Sequence, residues 1–85
     1  MNLYRVTQNV NSGYDTYDAM IVAAESEETA KKMHPSEYVQ GADWITSDNP
    51  FDGRYTWALP DEVHAEFIGT THLQAGVVLA SFNAG

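Results

Sequence analysis

Apolar and polar positions alternate from the first residues of the chain. Over residues 2–10, Tyr4, Val6 and Val10 fall on one side and Leu3, Arg5 and Thr7 on the other, the period of two that a strand requires. Asn9, Asn11, Ser12, Gly13 and Asp15 then supply turn formers. Tyr17 to Ala24 makes a second run, with the β-branched pair Ile21 and Val22 near its centre. The simplest join is an antiparallel hairpin with a polar tip near Asn11–Asp15. Ser26 is placed as an N-cap, with Glu27 and Glu28 in the first turn and Lys31 and Lys32 in the last. That order suits the helix dipole at both ends. Ala30 and Met33 give one narrow apolar face, and Pro35 restricts His34 and stops the helix. A helix of about eight residues does not persist alone, so it is expected to pack on the sheet.

The second half is less regular. Trp44 and Ile45 are candidates for a short strand, and residues 47–53 are dense in turn formers. Tyr55 to Leu59 reads as a short strand closed by Pro60 and Asp61. Val63, Ala65 and Phe67 alternate with His64, Glu66 and Ile68 in a clearer strand ended by Gly69. After a turn over 70–76, Val77 to Phe82 forms a final strand that is apolar on both faces. Such a run is expected to be buried on both sides, within the fold or across a subunit contact. The alternative, a sticky exposed edge, is one that soluble proteins avoid. The order β-β-α-β-β-β predicts an α+β fold, a mainly antiparallel sheet with one short helix packed on one face. Residues 1–85 are expected to form a single domain.

Charge changes the picture more than composition does. The hydrophobic share of 44 % is that of an ordinary globular chain. Twelve acidic residues face four basic ones, Arg5, Lys31, Lys32 and Arg54, for a formal charge of −8. Nucleic acid is then a poor partner, because each phosphate contact normally draws on a Lys or Arg. A basic or electropositive protein surface is the better expectation. The chain has no cysteine, which excludes disulfides, thiolate metal sites and thiol nucleophiles and fits a reducing compartment. No apolar run approaches the roughly 18 residues of a membrane span, and the alternating N-terminal stretch does not read as a signal peptide. The expected setting is cytoplasmic, with no membrane partner.

Leu3-Tyr4-Arg5-Val6, Gly13-Tyr14-Asp15-Thr16-Tyr17-Asp18, Ala23-Ala24-Glu25-Ser26-Glu27-Glu28 with Ala30, and His34-Pro35 resemble the N-terminal half of a family of small uncharacterised bacteriophage and prophage proteins. Val77-Val78-Leu79-Ala80-Ser81-Phe82-Asn83-Ala84-Gly85 is similar to that family's C-terminal signature. The resemblance implies a viral or prophage setting, the cytoplasm of a host cell, and no particular catalytic residue or cofactor. Small acidic phage proteins often act by binding and blocking host proteins, defence machinery included.

Two tyrosines and two carboxylates meet at the hairpin tip, Tyr14, Asp15, Tyr17 and Asp18, where they could grip a basic partner. The plainer alternative is a turn whose tyrosines fold back on the sheet while the aspartates stay solvated. Asp48 and Asp52, in the loop further on, complete the candidate partner-binding set. The segment 48–53 is not a calcium loop, since Pro50 stands at the third position and Leu59 where the closing glutamate belongs. His34, His64 and His72 match no compact zinc spacing, so no metal or cofactor is expected. Trp44, Phe51, Tyr55 and Trp57 concentrate aromatic area in the middle segment, as core or as an association face. No nucleophile elbow, phosphate loop or dinucleotide fingerprint is present. The expected function is therefore non-enzymatic: an acidic protein that inhibits or modulates a host protein. The alternative is a structural or assembly protein acting through homo-oligomerisation.

Overall fold

Tyr4 and Val6 are buried while Arg5 between them is exposed, so the alternation at the start of the chain does produce a two-faced strand. In the computed structural model, which describes residues 1–11, 13, 15–36, 38–39, 41–48 and 56–83, this strand is β1 (Asn2–Thr7). It pairs antiparallel with β2 (Thr16–Ala24), Tyr4 opposite Val22 and Val6 opposite Met20. The register therefore stacks the apolar side of one strand on that of the other. Two further strands, β3 (His64–Thr70) and β4 (Gly76–Asn83), complete a four-stranded sheet in the order β3-β1-β2-β4. All three pairings are antiparallel. With a helix on one face this is the α+β architecture expected from the sequence.

The helix α1 (Glu27–Lys31) begins where its cap predicts. The Ser26 hydroxyl accepts a hydrogen bond from the Thr29 N–H at 3.2 Å, and Glu27 pairs with Lys31 at 3.3 Å one turn on. It ends earlier than its apolar spacing suggests. Lys32 is the C-cap, so Met33 and His34 lie beyond the helix. Ala30 is the residue it buries against the sheet.

The segment between α1 and β3 departs from expectation. Trp44 and Ile45 lie in a one-turn helix, α2 (Asp43–Thr46), and not in a strand. Of the strand expected at 55–59, the described residues Thr56–Leu59 run as turn and irregular chain. They lead into a 3-10 turn at Pro60–Glu62. The physical reason is shared: both tryptophans are drawn into one core, Trp44 at 2 % and Trp57 at 0 % exposure. Burying an indole removes about 150–250 Å² from water, worth roughly 4–6 kcal/mol of gross transfer free energy. That gain outweighs the weak local strand preference of a few residues. Around the two rings gather Val6, Met20 and Val22 of the sheet, Ala30 of α1, and Val63 ahead of β3. Both tryptophans are therefore core, while Phe51 and Tyr55 lie outside the described residues.

Val10 differs as well. It lies past the end of β1 and is half exposed, because Gln8 closes the strand. The Gln8 carboxamide oxygen accepts from the N–H groups of Val10 and Asn11, and its amide donates to the carbonyls of Asn11 and Tyr17. That side chain takes over the hydrogen bonding a continued ladder would have supplied.

Candidate functional site

β4 is an edge strand. It pairs with β2 alone, and no backbone hydrogen bond from another described segment reaches it. This corrects the expectation of burial on both sides within the fold, leaving the alternative of a subunit contact: Val78, Leu79 and Phe82 are 47 %, 67 % and 46 % exposed in the single chain. The register with β2 shows how. Ile21 stands opposite Leu79 and Ala19 opposite Ser81, while Met20 stands opposite Ala80. Met20 and Ala80 thus share the core side, whereas Leu79 and Ser81 belong to the opposite face with Arg5 and Ile21. Arg5, Ala19, Ile21, Leu79 and Ser81 line a shallow groove of about 370 Å³ there.

Two bulges shape the edge. Val78 is the extra residue on β4 between the Ile21 and Val22 pairings, and Asp18 is the extra residue on β2 between the Tyr17 and Ala19 pairings. Leu79 to Asn83 is consequently an unbroken stretch of β4 backbone. The Asp18 bulge also turns Tyr17 toward the core side. Its ring meets Phe82 edge-on at 4.8 Å and His34 at 6.4 Å. His34 is buried, accepts the Ser36 N–H at Nδ1 at 3.0 Å, and packs on Trp44 at 5.1 Å.

Four of the six expected binding residues, Asp15, Tyr17, Asp18 and Asp48, are among the described residues. Asp15 and Asp18 are exposed at the hairpin, Asp15 with a left-handed φ of 62°. Tyr17 is half-buried, folded back in the manner of the plainer alternative. Asp48 is exposed just after α2, and no described hydrogen bond or ion pair ties it to the hairpin. Tyr14 and Asp52 lie outside the described residues. Asp61, Glu62 and His64 do come near one another around a second depression of about 370 Å³ with Gln8. Glu62 is engaged there as acceptor for the Leu59 N–H. No group of three or more His, Asp or Glu able to hold a metal ion occurs among the described residues, and no helix among them is long and apolar enough to cross a membrane.

A further feature of β4 is one of charge, which no motif carries. Residues 67–85 contain no Asp, Glu, Lys or Arg, in a chain whose formal charge is −8. β4 lies wholly within that stretch. The opposite edge is different: β3 carries the exposed Glu66 and follows Asp61 and Glu62. Charged residues on an edge deter pairing with other strands, so Glu66 guards β3, whose Phe67 and Ile68 are also exposed, while β4 carries no charge along its length. No family model, no curated protein and no solved structure matches this chain.

Proposed function

We propose that this chain is a non-catalytic protein-binding module whose recognition element is the open edge of β4, with Leu79 on one face and Phe82 on the other. The observation that carries the reading is the combination at β4 of an unpaired backbone edge, exposed apolar side chains and no charge. Strand addition uses such an edge: main-chain hydrogen bonds supply affinity, and alternate side chains supply selectivity. The carboxylates elsewhere keep the module soluble. The segments resembling small phage proteins support a viral setting, in which a module of this kind would modulate whatever it covers.

The test is selection of ten-residue peptides (the length roughly of one strand plus flanks) from a display library on the purified chain, followed by hydrogen exchange of the complex. The expected result is enrichment of uncharged, β-branched or aromatic peptides that protect amides within Leu79–Asn83 and fail to bind Leu79→Glu. Basic peptides that protect the hairpin around Asp15 and Asp18 would instead favour recognition through the acidic tip and overturn the β4 reading.

A further inference from the structure

We infer that the strand added at β4 is the β4 of a second copy, paired antiparallel about a two-fold axis; this rests on the strand-addition reading above and names its partner. Charge selects the occupant. Two copies bearing −8 each repel unless their carboxylates are kept apart by more than the screening length, about 8 Å at physiological ionic strength. β4 is the strand edge on which no carboxylate stands, since Glu66 occupies β3 and the acidic 3-10 turn leads into it. Contact through β4 therefore brings together the uncharged strips of two acidic bodies. β4 itself offers a basic partner no carboxylate; the nearest along this edge is Asp18, one strand in on β2.

Geometry supports the same occupant. A strand that meets itself across a two-fold axis perpendicular to the sheet runs antiparallel, matching every other pairing in this sheet, and both copies keep α1 on the same side. The joined order is β3-β1-β2-β4-β4-β2-β1-β3. The unbroken stretch Leu79–Asn83 has small residues, Ala80 and Ser81, at its centre. With the axis at Ser81, the middle of that stretch, Phe82 of each copy stands opposite Ala80 of the other and Leu79 opposite Asn83, one pair on each face of the sheet. The contact closes on itself, so it ends at a dimer and does not propagate as a fibre.

Sedimentation equilibrium of the whole chain over a concentration series tests this, together with single-cysteine variants in a sequence that has no native cysteine. The expected result is a concentration-dependent dimer whose Leu79–Asn83 amides gain protection as it forms. Ser81→Cys should give a disulfide-linked dimer on mild oxidation, and Glu66→Cys on the β3 edge should not. Leu79→Glu, which replaces an apolar side chain of the contact with a carboxylate, and separately Ser81→Glu, which sets the two new charges side by side at the axis, should be folded by circular dichroism and monomeric. Both positions are exposed, so loss of folding in both is not expected, and either variant alone decides the point. A dimer that survives both substitutions, or one that crosslinks through position 66, overturns the inference. A monomer that still binds selected peptides along β4 overturns self-pairing while leaving strand addition standing. A monomer that selects no peptide removes both.

Discussion

The Tyr17 ring on β2 and the Phe82 ring on β4 meet edge to face, centroids 4.8 Å apart and planes inclined at 61°, and this contact fastens the open edge strand to the core. Tyr17 reaches inward from there to His34, which in turn packs on Trp44. Phe82→Ala should therefore cost about 1–2 kcal/mol, the aromatic pair plus partial burial of a half-exposed ring. Urea denaturation of dilute protein measures it. A change below a few tenths of a kcal/mol would show that β4 is held by its backbone ladder alone.

Leu79 and Met20 separate burial from hydrophobicity. Met20 is 1 % exposed and Leu79 is 67 % exposed, although they belong to neighbouring strands. Met20→Ala should cost about 2–5 kcal/mol, the range for emptying a packed site. Leu79→Ala should cost under about 1 kcal/mol in the dissociated monomer, because little surface there is removed from water. Thermal melts at low protein concentration compare the two. Equal losses would mean that Leu79 is covered within one chain.

Trp44 and Trp57 bury their indole Nε1 atoms with no hydrogen-bond partner among the described residues. An unpaired buried donor costs about 1–3 kcal/mol, which offsets much of what the larger ring gains over phenylalanine. Trp44→Phe and Trp57→Phe should each stay within about 1.5 kcal/mol of the parent, whereas the corresponding alanine variants should lose about 3–5 kcal/mol. Chemical denaturation of the four variants checks this. A phenylalanine variant as unstable as its alanine counterpart would point to a partner for the indole N–H.

The β1–β2 hairpin, the Ser26-capped α1 and the strand at β3 were legible in the chain itself, because their signals are local. Alternation of period two sets the faces of β1, and the cap and the charges at each end set α1. Where Trp44 and Trp57 go was not legible. A bulky apolar residue satisfies a strand or a helix equally well, and the shared core decides between them. The place of β4 in the sheet was beyond local reading too. An apolar run such as Val77–Phe82 shows that both of its faces can be buried, but whether a neighbouring strand exists to bury them depends on strand order. The order β3-β1-β2-β4 leaves β4 with one neighbour. The absence of charge after Glu66 was visible in the sequence throughout. It took on meaning only when the tertiary pairing set that uncharged strand at the rim, where an unpaired edge and exposed apolar side chains coincide.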